Sequence, residues 1–246
     1  MKIGAKIINL ESVDSTNNYA ANMILQGNCP HGTVILADEQ YLGKGQRGSK
    51  WFAASGDNLT SSIVLLPDNL SVEQQFYLTC ITSLSVVDVL KEFNIVAEIK
   101  WPNDIYVNDR KIAGILIENA IQGNWIKSAI IGLGLNVNSC PSIDGTTCIF
   151  DQILLKIQPF QVLTKFLIHF NRWYEEHQVS NHLYIIEKYR DSLFKRNKTL
   201  VFEDEDGIFE GNVLDVSEHG YLQLRVGNEI RSYGAKQISW RLESVI

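Results

Sequence analysis

Gly43-Lys44-Gly45-Gln46-Arg47-Gly48-Ser49-Lys50-Trp51 interleaves three glycines with three cations and closes on an aromatic, and its reading decides whether the fold is a doubly wound parallel sheet. Glycine lacks Cβ, so successive backbone N–H groups can turn toward one concavity, and Lys44, Arg47 and Lys50 would ring it with positive charge. A triphosphate or a carboxylate suits such a cradle. Gly43, Gly45 and Gly48 also satisfy G-x-G-x-x-G, the dinucleotide fingerprint of a doubly wound parallel sheet. That fingerprint needs a helix at its last glycine, whereas here Ser-Lys-Trp-Phe-Ala-Ala-Ser-Gly-Asp-Asn follows, with little helical period and a turn signal. The loop is therefore read as a connection between two strands, Thr33 to Ala37 before it and Leu59 to Leu66 after it. The bland alternative is a flexible surface loop.

Outward from the loop, the pattern is that of an α+β protein. A short strand near Ile7 to Leu10 leads to Asp14 or Ser15 as the cap of a helix from Asn17 to Leu25, with Gly27 as its stop. Ser71-Val72-Glu73-Gln74 fits a capping box and opens an amphipathic helix to about Phe93, expected to cover one sheet face. Strands are expected at Val96 to Trp101, Ile112 to Asn119 and Trp125 to Val137, forming a largely antiparallel sheet. Helical patterns over Phe160 to His177 and His182 to Phe194 complete a unit spanning residues 1–195. From Thr199 onward short strands alternate with Asp206-Gly207, His219-Gly220 and Gly227-Asn228 turns, so residues 196–246 read as a small separate β-barrel.

The chain has 246 residues, 45% of them hydrophobic, enough for a full core. A net charge of -6 and a pI near 5.4 leave no basic field, which argues against nonspecific nucleic-acid binding as a primary role. The amino terminus lacks a long apolar stretch and no later run approaches about 18 apolar residues, so a cytoplasmic protein is expected. Cys29, Cys80, Cys140 and Cys148 form no C-x-x-C pair and read as reduced thiols, mostly in the core, with neither a zinc site nor a disulfide framework. The five histidines show no metal spacing and no nucleophile motif.

Three further segments could carry chemistry. In Lys100-Trp101-Pro102-Asn103-Asp104 the proline lacks a ladder donor, so a strand stops there and presents Asn103 and Asp104 at a rim. Asp104 could hold Mg²⁺ on a phosphate, Asn103 could bond a base or phosphate, and Lys111 could neutralise an attacking carboxylate; an ordinary Pro-Asn-Asp turn is the alternative. In Ile130 to Asn138, alternate residues Gly132, Gly134 and Asn136 leave one strand face bare. A flat ligand across the sheet with Asn136 at its edge explains this, as does close helix packing. Ala113 and Gly114 repeat the small-residue signature. Ser15-Thr16-Asn17 reads either as a helix cap or as hydrogen bonds to a small polar ring.

Taken together, Asp14 to Asn17, Gly43 to Trp51, Lys100 to Asp104, Arg110 to Gly114 and Gly132 to Asn136 resemble the biotin protein ligases in order and spacing. The resemblance covers nearly the whole chain and implies a class II synthetase-like catalytic fold with a C-terminal SH3-like barrel. It implies the short form of the enzyme, lacking an N-terminal DNA-binding domain, with biotin and ATP as substrates and Mg²⁺ as cofactor. The acceptor it implies is a biotin carboxyl carrier protein, with no DNA or membrane partner, for a monomer or homodimer. By the same resemblance Ser15, Thr16, Asn17, Gln40, Gly43, Lys44, Gly45, Gln46, Lys111, Gly114, Leu116, Gly132 and Gly134 would bind biotin. Trp51, Lys100, Asn103, Asn136 and Arg47 would bind ATP, Lys111, Arg47 and Lys44 would be catalytic, and Asp104 would engage Mg²⁺. The family's loop usually reads G-R-G-R; here its arginine positions hold Lys44 and Gln46, with Arg47 next, so retention of the adenylate depends on Arg47 taking the role. Lipoate or octanoate ligases and transferases share the fold and are the rival reading, with a noncatalytic nucleotide-binding module behind them.

Overall fold

The computed structural model describes residues 2–141 and 143–241, and of Arg47 the backbone alone. In chain order the elements are β1 (Lys6–Val13), α1 (Thr16–Leu25), β2 (Thr33–Gln40), β3 (Leu59–Leu65), α2 (Gln75–Glu92), β4 (Glu98–Lys100), β5 (Asp104–Val107), β6 (Arg110–Gln122), β7 (Trp125–Leu135), α3 (Ile149–Ile153), α4 (Pro159–Gln178) and α5 (His182–Asp191). They are followed by β8 (Thr199–Asp204), β9 (Gly207–Val216), β10 (Leu222–Val226), β11 (Glu229–Tyr233) and β12 (Ser239–Arg241). The first seven strands form one sheet in the order β1-β2-β3-β7-β6-β5-β4, antiparallel throughout except for the β1-β2 pair. A parallel pair needs a crossover, and α1 supplies it, which brings the helix N-terminus over the strand ends at the middle of the sheet.

The predicted capping box forms: the Ser71 backbone N–H donates to Gln74 Oε1 at 3.1 Å. The helix behind it departs from the expected amphipathic cover. Leu78, Cys80, Ile81, Val86, Val89 and Leu90 are fully buried, and so are Thr82, Ser83 and Ser85, because α4 and α5 pack on the side away from the sheet. Thr82 sends its hydroxyl back to Leu78 O at 2.6 Å, a local bond that lets a polar side chain survive in such a helix. A second departure is β5. No strand is expected between Trp101 and Ile112, yet Asp104–Val107 pairs with both β4 and β6, with Ile105 and Val107 buried. The turn from β4 to β5 runs through a cis Trp101-Pro102 peptide.

The C-terminal strands make a second sheet in the order β11-β10-β9-β8-β12. Among the described residues this sheet is open rather than a closed barrel, and residues 242–246 of the predicted barrel unit lie outside them. Nor is its core separate. Phe202, Val213, Val216, Leu222 and Leu224 belong to the same apolar cluster as the main sheet and α2. Trp101 Nε1 donates to Gly220 O at 3.0 Å, and Arg190 both donates to Val216 O at 2.8 Å and pairs with Asp215 at 2.9 Å. No described helix is long and apolar enough to cross a membrane.

At the end of α4, His177 stacks near Tyr77 and His182, with ring centroids 5.9 and 4.8 Å away. Burial, then the charge of His182, pushes its pKa down from 6.5 to about 4. Between these values the unfolded chain binds a proton that the folded chain refuses, so this contribution is intact above pH 6.5 and is lost as pH falls toward 4. Urea unfolding at pH 7 and pH 4.5 should show about 2 kcal/mol less loss in His177→Phe than in the parent chain; equal losses would refute the assignment.

Candidate active site

Register places the small residues in rows. Thr60, Gly134, Gly114 and Asp104 lie side by side across β3, β7, β6 and β5, and Ser62, Gly132 and Leu116 form the next row on the same face. The result is a strip of sheet with almost no side chains, the floor of a cavity of about 360 Å³.

One end of the floor is a buried polar network. Gln40 Oε1 accepts from the Thr16 backbone N–H (2.7 Å) and hydroxyl (2.9 Å), while the Ser62 hydroxyl lies 2.7 Å from Thr16 Oγ1 and 2.6 Å from Asn17 Oδ1. Asn17 Nδ2 donates to Glu118 Oε2 at 2.6 Å. The Ser15 side chain makes no capping bond at the start of α1, so of the two readings of Ser15-Thr16-Asn17 the structure favours groups turned to the cavity over a cap. Asn17 sits so close to the floor that a Cβ at Gly132 would be 2.6 Å from its Oδ1; helix packing and the bare strand face are one feature. Ser62 and Glu118 were not foreseen, because their neighbours in space are distant in sequence.

The opposite end is charged. Lys111 Nζ pairs with Asp104 Oδ1 at 2.7 Å. Lys100 stands beside them, donating to Tyr106 Oη at 3.2 Å with its ammonium 4.9 Å from that ring. Burial lowers the Lys100 pKa, Asp104 raises it and Lys111 lowers it again. Two lysines around one carboxylate leave a surplus of positive charge, which suits an anionic guest. Asn103 donates to Ile115 O, which fixes the β4-β5 turn against β6.

The glycine loop folds over this floor. Lys44 pairs with Lys50 in a short antiparallel bridge, Gly45 N donates to Ser49 O at 2.7 Å, and a 3-10 turn spans Gln46–Gly48. A Cβ at Gly43 would meet Trp51 O at 2.4 Å and one at Gly45 would meet Ser49 Oγ at 2.4 Å, so these glycines serve the loop's own close return. Lys44, Gly45, Gln46 and Trp51 reach the cavity, along with Ser15, Thr16, Asn17, Gln40, Lys100, Asn103, Asp104, Lys111, Gly114, Leu116, Gly132 and Gly134. Two expected residues do not join them, and the side chain of a third is not described. Gly43 lies behind the loop; Asn136 is buried and donates to Thr147 O at 3.0 Å rather than lining the cavity; the Arg47 side chain lies outside the described residues. Ala235, Ile238, Ser239 and Trp240 complete the wall from the C-terminal sheet, a contribution that no sequence signal announced.

Trp51 is itself the flat group on the floor. Its indole lies over Gly134 and Gly114, where added Cβ atoms would come within 2.2 and 3.3 Å of the ring, and its buried Nε1 has no partner.

A flat floor with a hydrogen-bonding end, a cationic end and a cationic loop above is the layout of an ATP-dependent ligase that activates a ring-bearing carboxylic acid. The chain belongs to the biotin/lipoate A/B protein ligase family, whose sequence model matches residues 10–136. It is 28% identical over 224 residues to the bifunctional ligase/repressor BirA of Bacillus subtilis, covering 88% of this chain and 69% of that one. It is 31% identical over 136 residues to the biotin--[acetyl-CoA-carboxylase] ligase of Paracoccus denitrificans, 54% of this chain and 55% of the relative. The biotin protein ligase of Aquifex aeolicus, solved in complex with biotin and ATP, superposes with a TM-score of 0.82 at 25% identity, covering 96% of this chain and 99% of that structure.

Gly134→Ala should drive the Trp51 indole off the sheet. The expected outcome is red-shifted, more readily quenched tryptophan emission with unchanged far-ultraviolet circular dichroism, and no such change when Trp51→Phe is already present. Emission indifferent to Gly134→Ala would mean that the ring rests elsewhere.

Proposed function

We propose that this protein activates biotin with ATP as biotinyl-5′-AMP and transfers the biotinyl group to a lysine of a biotin carboxyl carrier protein. The observation that carries the reading is the glycine floor bounded by the Thr16-Asn17-Gln40 network at one end and the Lys111-Asp104 pair at the other. A fused ureido ring offers N–H donors and a carbonyl acceptor to the first end and sends a flexible acid chain to the second. In the first half-reaction a carboxylate oxygen attacks the α-phosphorus of ATP, an O–P bond forms, and pyrophosphate leaves. Two anions must meet for this, and Lys111, Lys100 and the loop cations offset their repulsion with charge already in place. In the second, a neutral lysine amine attacks the biotinyl carbonyl, AMP leaves with the C–O electrons, and the nitrogen loses its proton.

For the acid to lie flat, Trp51 must leave the floor, and its indole then becomes a platform for adenine. Asp104 would be the protein ligand of Mg²⁺. Among the described residues that line the cavity it is the one carboxylate, and with Lys111 and Lys100 beside it an ion would be held there only together with the triphosphate; such an ion would add further neutralising charge. Residues 1–195 would form the catalytic unit, with residues 196–246 lending it the Ala235 to Trp240 wall. A supply of ATP and four free cysteines fit a cytoplasmic setting.

Pyrophosphate release with MgATP should depend on biotin and leave biotinyl-AMP detectable by mass spectrometry. Release with lipoate or octanoate alone would move the protein to the sister branch of the family, and none with any acid would sink the ligase reading. Lys111→Ala should lower the adenylation rate by about 10²-fold or more with a normal circular dichroism spectrum; full activity in that variant would remove Lys111 from the chemistry.

A further inference from the structure

We propose that Cys140 and Cys148, in the connection between β7 and α3, and Asp151, in α3 itself, form a site for a thiophilic divalent cation of the Zn²⁺ type. The sequence separates the two cysteines by seven residues with no C-x-x-C spacing, yet the fold brings them together. The two sulfurs and a carboxylate oxygen all lie within 4.8 Å of one another, and Cys140 Sγ donates to Asp151 Oδ2 at 3.0 Å. Tetrahedral Zn²⁺ with bonds of about 2.3 Å to sulfur and about 2.1 Å to oxygen needs its ligand atoms about 3.5 Å apart. Side-chain rotation closes that gap. Cys148 is 1% exposed, Cys140 is half-buried and Asp151 is exposed, so the cluster is anchored inside and open outside, where water would take the fourth position. Binding forms two metal–sulfur bonds and one metal–oxygen bond and releases the two thiol protons to solvent.

The place matters as much as the ligands. The same connection lies along the backbone of Lys111: Lys111 N donates to Gly145 O at 2.7 Å, and Thr147 N donates to Lys111 O at 2.9 Å. The amide of Asn136 holds Thr147 O at 3.0 Å from the other side. A cation joining residue 140 to residues 148 and 151 would clasp the ends of this segment and stiffen the main chain that carries Lys111. Cys29 and Cys80 take no part in the cluster. The site stands independently of which acid the cavity binds.

Cd²⁺ reports thiolate ligation by its ultraviolet charge-transfer absorption, and it can be titrated into the reduced, untagged, metal-free full chain. One Cd²⁺ per chain is expected, with Zn²⁺ competing for it. Cys140→Ser should weaken binding at least 100-fold and abolish most of the band, Asp151→Asn should weaken it about tenfold, and Cys29→Ala should change nothing. Cys140 is only half-buried, so its serine variant keeps the test clear of misfolding, which circular dichroism would verify. Zn²⁺ should also raise the Tm of the parent chain but not of Cys140→Ser. Absence of a stoichiometric band would overturn the site. So would binding indifferent to Cys140→Ser, or a Cys140-Cys148 disulfide in protein purified from reducing cells with no metal uptake.

Discussion

Three backbone positions without Cβ, at Gly114, Gly132 and Gly134, set the distance at which everything else stands above the central strands. A strand normally keeps its neighbours a side chain away. Here Asn17 and Trp51 come down to the main chain itself, to places where a methyl group would overlap them. The approach of α1 follows from this, because Asn17 can reach both Ser62 and Glu118 only at that height. The flatness of the cavity follows too. A glycine weakens a strand by removing packing and adding chain entropy, and the sheet offsets that loss at its centre, where β7 is paired on both sides along most of its length.

The two ends of this floor are chemically unlike, and the sheet keeps them apart. Thr16, Asn17, Gln40, Ser62 and Glu118 are linked to one another by short polar contacts, so a ligand ring would have to compete with internal partners there. The Lys111-Asp104 pair and Lys100 lie at the far end of the row, partly desolvated, where charge acts over longer range than in water. On the proposed reading, polarity would orient the acid before any shape is considered.

Much of this was legible in the sequence wherever the signal is local. The capping box at Ser71, the Gly27 stop, the strand on each side of the loop and the Gly132-Gly134 face are decided by residues within a few positions of one another. What was not legible depends on the third dimension. The all-round burial of α2 needs α4 and α5, the partners of Asn17 lie 45 and 101 residues away, and the wall from Ala235 to Trp240 comes from strands that read as a separate barrel. Cys140 and Cys148 read in sequence as thiols outside any metal site, because loop curvature, not spacing, brings them together. Asn136 departs from its expected placement for a local reason. Its alternation with the glycines placed it on the ligand face, but β7 ends at Leu135 and the next residue is free to turn toward Thr147.

The indole of Trp51 rests on the same glycine surface that a flat ligand would use. On the proposed reading, a flat ligand and the indole would exclude each other from that surface. An apparent dissociation constant is the intrinsic one divided by the fraction of molecules whose floor is clear, so the loop that carries Trp51 would bear on affinity through that fraction as well as through its own contacts. Substitutions between Gly43 and Trp51 that loosen the short Lys44-Lys50 bridge would shift that fraction while the sheet stays unchanged.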